Sequence, residues 1–152
     1  MLYAKYLHLY HSNRNIMYPE YLVAPMRQDL TSAGFVELKT PEEVDQSIKS
    51  EGTVLVVVNS VCGCAAANAR PAAKIAAANG KHPDKLVTVF AGMEKDAVDR
   101  ARGYMLPYPP SSPSMALFKD GKLVHIIERH QIEGRPAQMI ADNLIGAFEV
   151  NC

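Results

Sequence analysis

Residues 53–80 have the sequence TVLVVVNSVCGCAAANARPAAKIAAANG, and they join two strongly patterned segments through a turn that carries two cysteines. The β-branched and apolar run at 53–58 is typical of a strand buried on both faces of a parallel sheet. The alanine-rich segment 65–78 favours a helix whose small side chains let it lie close to that sheet. Pro71 removes one backbone donor from this helix and is predicted to kink it about two turns in. The chain therefore contains a central strand, a Cys62-Gly63-Cys64 turn and a helix.

Outward from this segment, apolar periodicity and capping residues predict helices and strands on both sides. Thr40 and Pro41 have the types expected at the N-cap and first position of a helix. Four prolines between 104 and 113 predict a loop, and Asp120-Gly121 predicts the tip of a β-hairpin. The predicted elements are helices at 19–33, 41–50, 65–78, 94–103 and 136–148 and strands at 35–38, 53–58, 86–91, 115–118 and 123–128. These predict an α/β architecture with helices flanking a sheet.

The composition limits the function classes. The chain has 152 residues, of which 48% are hydrophobic, and its 16 basic and 16 acidic residues balance. A chain without a net positive charge is not expected to bind nucleic acid. The longest apolar run, 54–58, is far shorter than the roughly 20 residues of a membrane span. Residues 1–16 lack the pattern of a signal peptide, and we interpret them as an appended or disordered segment preceding a single domain at 17–152. We expect a cytoplasmic protein.

The Cys62-Gly63-Cys64 turn is the strongest chemical signal in the sequence. Cys62 lies at the start of a helix, where free backbone N–H groups and the helix dipole stabilise a thiolate. Cys64 is close enough to attack a mixed disulfide formed on Cys62, and Gly63 between them permits a tight backbone. A disulfide between residues this close is expected to be strained and easily reduced. The pattern therefore predicts thiol-disulfide exchange, with Cys62 as nucleophile and Cys64 as resolving thiol.

Other interpretations of the cysteines remain open at this point. A free cysteine is often a small buried apolar residue. A metal site would need two further ligands, and the five histidines do not cluster near the turn, so no metal site is assigned. Cys152 is the last residue and is predicted to be an exposed, mobile thiol, with an accessory redox role as the alternative.

The proline-rich loop is the second candidate part of the site. Pro113 precedes a predicted strand, where a cis peptide bond can turn the neighbouring backbone groups towards an incoming disulfide-bearing chain. We therefore expect Ser112, Pro113 and Ser114, together with Gly63, to shape a substrate groove. The charged pairs Glu128-Arg129 and Glu133-Arg135 are interpreted as solvated charges or local ion pairs.

The order of these elements resembles the thioredoxin-like fold, with Cys62 at the nucleophile position, Pro71 in the following helix and Pro113 at the cis-proline position. Four stretches are more specifically similar to the bacilliredoxin family, and together they extend from about Met17 to Cys152. These stretches are VAPMRQDLTSAGFVEL (23–38), VVVNSVCGCAAANARPA (56–72), YPPSSPSMALFKDGKLVHIIERHQIEGR (108–135) and AFEVNC (147–152). The resemblance implies a central mixed sheet flanked by helices, with an extra N-terminal helix.

The resemblance also implies an activity, the removal of the low-molecular-weight thiol bacillithiol from oxidised proteins. Cys62 would take up bacillithiol, and Cys64 or a second bacillithiol would release it. The implied partners are S-thiolated client proteins, bacillithiol as co-substrate and a bacillithiol disulfide reductase for recycling, with no bound cofactor. Cys152 matches a C-terminal cysteine often seen in the family. Disulfide isomerase activity is the alternative, and a metal- or protein-binding module without catalysis is the alternative of another class.

Overall fold

The computed structural model describes residues 18–152. Within this part, no helix is long and apolar enough to cross a membrane. The predictions made for residues 1–16 lie outside the described residues. In chain order the elements are α1 (Glu20–Thr31), β1 (Val36–Glu37), α2 (Pro41–Ile48), β2 (Thr53–Asn59), a π-helical segment (Ala65–Ala69) that continues as α3 (Arg70–Ala77), β3 (Lys85–Phe90), α4 (Lys95–Tyr104), β4 (Ser114–Lys119), β5 (Lys122–Ile127), α5 (Arg129–Ile132) and α6 (Ala137–Asn151).

The strands form one mixed five-stranded sheet in the order β1-β3-β2-β4-β5. β3 is parallel to both β1 and β2, whereas β4 is antiparallel to both β2 and β5. The connections through α2 and α3 put helices between the parallel strands, and the hairpin adds the two antiparallel strands at one edge. The mixed sheet with flanking helices and an N-terminal helix confirms the predicted fold class.

β2 is the centre of the core, because all seven of its residues are buried. Leu55 and Val57 pack in a cluster that includes α3 and α6, and Val54, Val56 and Val58 pack in a second cluster with α2 and α4. Burying one such side chain contributes roughly 1.5–3 kcal/mol. The apolar run predicted to be buried on both faces therefore anchors two helical layers, one on each side of the sheet.

Two local predictions are confirmed in atomic detail. The Thr40 hydroxyl accepts a hydrogen bond from the backbone N–H of Glu43 at 3.2 Å, so Thr40 caps α2 as expected. Asp120 and Gly121 have φ values of 51° and 80° at the tip of the β4–β5 hairpin. These left-handed conformations are those that favour an Asp-Gly turn.

The predicted kink at Pro71 takes a different form. Ala65–Ala69 is a π-helical segment, in which the N–H of Arg70 bonds the carbonyl of Ala65, and a regular α-helix starts at Arg70. Pro71 has no N–H to donate to the carbonyl of the preceding turn. The wider π-helical turn precedes the proline, so the irregularity begins directly after Cys64.

The segment after the hairpin also differs from the prediction. β5 ends at Ile127, one residue before the predicted end, and Glu128 is the N-cap of the short helix α5. Glu128 and Gln131 form a reciprocal capping box, in which the Gln131 side chain accepts from the N–H of Glu128 at 2.9 Å. This helix places Arg129 at its first position.

Candidate active site

Three segments meet at one end of the sheet: the Cys turn and the proline-rich loop, which the sequence predicted, and α5, which it did not. The register pairs Val58 of β2 with Ser114 of β4, and Met115 of β4 with Ile127 of β5. Because β4 runs antiparallel to both neighbours, the residues after β2, before β4 and after β5 lie at the same end. The Cys turn, the proline-rich loop and α5 are therefore neighbours.

Hydrogen bonds to the backbone N–H and C=O groups of Cys62 hold the Cys turn. The N–H of Cys62 donates to the Ser60 hydroxyl at 3.2 Å, and the Cys62 carbonyl accepts from the N–H groups of Ala65 and Ala66 at 3.0 and 3.3 Å. Both Cys62 and Cys64 are free thiols and half-buried. The turn thus presents two sulfur atoms to solvent in a fixed backbone frame.

Gly63 leaves space around the two thiols, and its backbone conformation is one that other residues can adopt. Its φ is outside the left-handed region, and a Cβ built on it would meet no atom within 4 Å. The expectation that a glycine is needed for a tight backbone is therefore wrong. An exposed residue without a side chain leaves the two flanking sulfur atoms uncovered.

The environment of Cys62 favours its thiolate. Burial raises the pKa of this thiol, but hydrogen bonds from Cys64, from the Ser60 hydroxyl and from the backbone N–H of Ala65 act in the opposite direction. The positive charge of Arg129 acts with them. Together these effects hold the pKa of Cys62 below its usual value.

The pKa of Cys64 shifts in the opposite direction. Burial is the largest cause that raises the pKa of Cys64. The hydrogen bond that Cys64 donates to Cys62, and the negative charge that develops on Cys62, raise it further. The charge of Arg129 lowers this pKa but does not overcome those effects. When one of the two thiols ionises, the negative charge is therefore favoured on Cys62 and the proton is favoured on Cys64.

A buried arginine holds the chain that leads into the turn. Arg70 donates through Nη1 to the side-chain oxygen of Asn59 at 3.1 Å and to the carbonyl of Ser60 at 2.9 Å, while its Nε donates to Asp29 at 3.2 Å. Asn59 in turn donates to the carbonyl of Met26 in α1 at 3.1 Å. Neither Arg70 nor Ser60 carries a sequence signal that marks it as part of the site.

Arg129 is the second arginine that the sequence analysis did not place in the site. Its Nε lies 3.6 Å from Glu133, so its ion-pair partner is not Glu128, the residue with which the prediction grouped it. In addition, its Nη1 donates to the carbonyl of Ser112 at 3.1 Å, and its charge acts on both cysteines. Arg129 therefore connects the loop before β4 to the Cys turn.

The predicted groove residues differ in exposure. The Ser112–Pro113 peptide bond is cis, as predicted, and Ser112 is half-buried, whereas Pro113 and Ser114 are buried. The Ser114 hydroxyl donates to the carbonyl of Ser111 at 3.0 Å, so it stabilises the loop from within. Ser112 and the exposed backbone of Gly63 are the members of this set that an approaching molecule can reach.

Cys152 lies at the other end of the molecule from the Cys turn. The helical segment 65–77 begins next to Cys64 and is about 20 Å long. Beyond its far end, the Lys81 ammonium donates to the carbonyl of Glu149 at 2.9 Å, next to the C-terminus of α6. The structure therefore brings Cys62 and Cys64 together with the proline loop, but not with Cys152.

Potential metal ligands do not gather around the thiols. Across residues 18–152, the structure contains no cluster of three or more His, Cys, Asp or Glu side chains that could hold a metal ion. His125 contacts Asn143 at 2.6 Å on the hairpin side, and His130 lies 3.9 Å from Glu128. The site consists of two thiols, the Ser60 hydroxyl, the Arg129 guanidinium and backbone groups.

Comparison with protein families assigns this chain to a known group. A family model described as disulphide isomerase matches residues 18–152. A protein named bacilliredoxin from Cytophaga hutchinsonii is 59% identical over 128 residues, covering 84% of this chain and 95% of that protein. One from Halalkalibacterium halodurans is 57% identical over 136 residues, covering 89% and 94%. One from Salinibacter ruber is 52% identical, covering 89% and 81%.

Comparison with solved structures supports the fold. A thioredoxin from Malassezia sympodialis superposes with a TM-score of 0.56 at 13% identity, covering 78% of this chain and 90% of that one. The oxidised thioredoxin from Plasmodium falciparum gives a TM-score of 0.54 at 15% identity, covering 76% and 98%. At these identities the likeness establishes a thioredoxin fold and nothing about substrates.

Proposed function

This chain belongs to the bacilliredoxin family of thiol-disulfide oxidoreductases, and on that premise we propose that it removes bacillithiol from mixed disulfides on oxidised proteins. The observation that carries the proposal is the pair of free, half-buried thiols in the Cys turn, whose surroundings lower the pKa of Cys62 and raise that of Cys64. A thiolate is the attacking species in disulfide exchange, and a neighbouring thiol that keeps its proton is held back for the second step.

In the first step, the Cys62 thiolate attacks the bacillithiol sulfur of the mixed disulfide. A disulfide bond forms between Cys62 and bacillithiol while the bond to the client breaks, and the client leaves as a thiolate that takes a proton from water. Attack at this sulfur frees the client at once, because the small thiol stays on Cys62. Partial exposure of Cys62 next to Gly63 supports access by a protein-bound disulfide.

In the second step, Cys64 loses its proton and attacks the Cys62 sulfur. A disulfide forms between Cys62 and Cys64, and bacillithiol leaves as a thiolate. The mixed disulfide has then been reduced to two thiols, and the protein has been oxidised by two electrons. Alternatively, the thiolate of a second bacillithiol attacks the sulfur of the bacillithiol on Cys62, and Cys62 leaves as a thiolate. The product is bacillithiol disulfide, which a bacillithiol disulfide reductase would return to two thiols.

The proposal includes the setting of the reaction. The partners are S-thiolated client proteins and bacillithiol, with no bound cofactor, and the location is the cytoplasm, where reductants keep free thiols reduced. Within the site, Arg129 compensates the charge of the Cys62 thiolate, and Arg70 with Ser60 fixes the backbone from which it attacks.

The test is a time course of intact mass for the reduced full-length protein mixed with a client that carries bacillithiol as a mixed disulfide. Cys64→Ala is expected to gain the mass of one bacillithiol and keep it. The unsubstituted protein is expected to end as an internal disulfide, and Cys62→Ala to gain nothing. Uptake by Cys62→Ala at the unsubstituted rate would contradict the assignment of the nucleophile.

Disulfide isomerase activity is the second candidate, favoured by the description of the matching family model. An isomerase uses the same thiolate to attack protein disulfides and needs no small thiol. Reactivation of a scrambled disulfide protein by the unsubstituted chain, with no uptake of bacillithiol by Cys64→Ala, would select this candidate over the first.

A further inference from the structure

The guanidinium of Arg129 is only partly used by the protein itself. Its Nη1 donates to the Ser112 carbonyl, and its Nε lies 3.6 Å from Glu133, a carboxylate whose side chain is 61% exposed. Among residues 18–152, no acceptor takes a hydrogen bond from Nη2. The Arg129 side chain is 42% exposed. A charged donor group is therefore accessible to solvent at the end of the sheet that carries the two thiols, and its charge acts on both of them.

The position of this guanidinium is fixed from two directions. The N–H of Arg129 donates to the Ser111 hydroxyl at 3.4 Å, and the capping box formed by Glu128 and Gln131 fixes the start of α5. The contact with the Ser112 carbonyl holds the other end of the side chain. A donor held this way loses less conformational entropy when it binds a ligand than a freely moving side chain would.

The charge balance of the site changes during the proposed reaction. Before attack, the Arg129 charge compensates the thiolate of Cys62. Once Cys62 is joined to a small thiol through a disulfide, its sulfur carries no charge. The guanidinium of Arg129 then no longer has the thiolate as a charge partner. A carboxylate on the attached thiol is the group that planar guanidinium donors bind best.

We propose that Arg129 binds a carboxylate of the small thiol that Cys62 takes up, so that the protein selects mixed disulfides of anionic thiols over those of neutral or cationic thiols. This inference rests on the proposed function and names the chemistry of its small-thiol substrate. The exchange step is unchanged: Cys62 forms the new disulfide, the client thiolate leaves, and Arg129 transfers neither electrons nor a proton.

The test compares three mixed disulfides on one client peptide with a single cysteine. The small thiol is mercaptosuccinate, 2-mercaptoethanol or cysteamine, which are anionic, neutral and cationic. Uptake is followed by intact mass in the full-length Cys64→Ala, Cys152→Ser protein, so that transfer stops at Cys62. Rates are measured at a pH where Cys62 is fully ionised, and each is divided by the rate of a free cysteine peptide with the same disulfide.

The normalised rate for mercaptosuccinate is expected to exceed that for cysteamine by about tenfold, the ratio that one charge-assisted hydrogen bond can supply. Arg129→Gln is expected to bring this ratio close to one, and Arg129→Lys to retain part of it. Added salt is expected to reduce the ratio as well, because the side chain is partly exposed. The control is Arg135→Gln, an exposed arginine in the loop after α5, which is expected to leave the ratio unchanged.

Two results would overturn the inference while leaving the proposed function standing. The first is an equal normalised rate for all three thiols in the protein that keeps Arg129. The second is an Arg129→Gln protein that slows all three by the same factor, which would reduce Arg129 to a residue that positions the loop. Absence of uptake from every mixed disulfide, including bacillithiol, would instead overturn the proposed function and the inference with it.

Discussion

At the scale of single residues, the acidity of Cys62 is the result of opposed effects. Burial disfavours the thiolate, and three hydrogen bonds together with the charge of Arg129 favour it more strongly. Ser60 contributes twice, because its hydroxyl accepts from the N–H of Cys62 and also interacts with the sulfur. A substitution at Ser60 therefore probes the thiolate without changing either cysteine.

Ser60→Ala is expected to raise the pKa of Cys62, since it removes a hydrogen bond to the charged form. Below that pKa, the rate of Cys62 alkylation by iodoacetamide should fall by up to about tenfold, as for the loss of one such bond. The measurement is the pH dependence of the alkylation rate at Cys62. Ser50→Ala is the matched control. Ser50 follows α2, before β2, and its hydroxyl donates to the Ser47 carbonyl rather than to a group in the Cys turn. An unchanged pH midpoint in Ser60→Ala would contradict the assigned contact.

The sequence pattern predicts the reacting residues but not the residues that shift their pKa values. Cys62, Cys64 and Pro113 are recognisable because each occupies a characteristic position next to a strand. Ser60 and Arg70 carry no such signal: one is an ordinary polar residue after a strand, and the other lies in an alanine-rich helix. The contacts of Arg129 with Ser112 and with the thiols depend on three segments that meet only in the folded sheet. Local pattern predicts the nucleophile, whereas tertiary contacts set its pKa.

At the scale of elements, α1, β2 and α3 are joined by one buried cation. Arg70→Met removes donors from Asn59, the Ser60 carbonyl and Asp29. Asn59 keeps the N–H of Ser60 and Asp29 keeps Lys74, but the buried Ser60 carbonyl loses the donor that Arg70 gives it. The free energy of unfolding is expected to fall by about 2–4 kcal/mol, measured by urea denaturation. The loss also frees the backbone before Cys62, so the alkylation rate should change as well.

Lys74→Ala is the matched control for this substitution. Lys74 binds the same carboxylate, Asp29, at 2.7 Å, but its side chain is 42% exposed. An exposed ion pair contributes about 1 kcal/mol or less, so the loss should be correspondingly small. Equal losses in the two variants would show that burial of Arg70 is not what joins these elements.

Two helical segments beside the site differ from the sequence prediction. The proline in the alanine-rich segment predicts an irregular helix, but only the structure places a π-helical segment at Ala65–Ala69, before the proline. α5 is four residues long, and its N-cap is Glu128, a residue type that is not usual at this position. Short elements of this kind are stabilised by their tertiary surroundings, and apolar periodicity does not detect them.

At the scale of the whole molecule, the three cysteines fall into two separate environments. Cys152 lies beyond the far end of α3, about 20 Å from the Cys turn along the helix. Cys152→Ser is therefore expected to leave the rate of bacillithiol uptake and the formation of the Cys62–Cys64 disulfide unchanged. Intact mass during the transfer reaction measures both. Accumulation of the bacillithiol adduct in Cys152→Ser, but not in the unsubstituted protein, would show that Cys152 takes part in release.

Most of the sheet was predictable, because several strands and the hairpin each carry their own sequence signal. The apolar run at 54–58 and a second strand at 86–91 predict buried parallel strands, and Asp120-Gly121 predicts a hairpin; the resemblance adds the mixed sheet that the structure shows. The register that places Ser114 opposite Val58 follows from the packing of both faces of β2 and is not visible in the sequence. That register brings the proline loop to the Cys turn.

The most direct test of the central claim, that the turn makes Cys62 the thiolate and Cys64 the proton-bearing partner, is a site-resolved alkylation profile. Reduced full-length protein is labelled briefly with iodoacetamide across a range of pH, so that each molecule reacts at most once, and each thiol is quantified by peptide mass. Cys62 is expected to be labelled with a pH midpoint below that of a free thiol, and Cys64 with one above it. Equal midpoints, or labelling of Cys64 at the lower pH, would contradict the account.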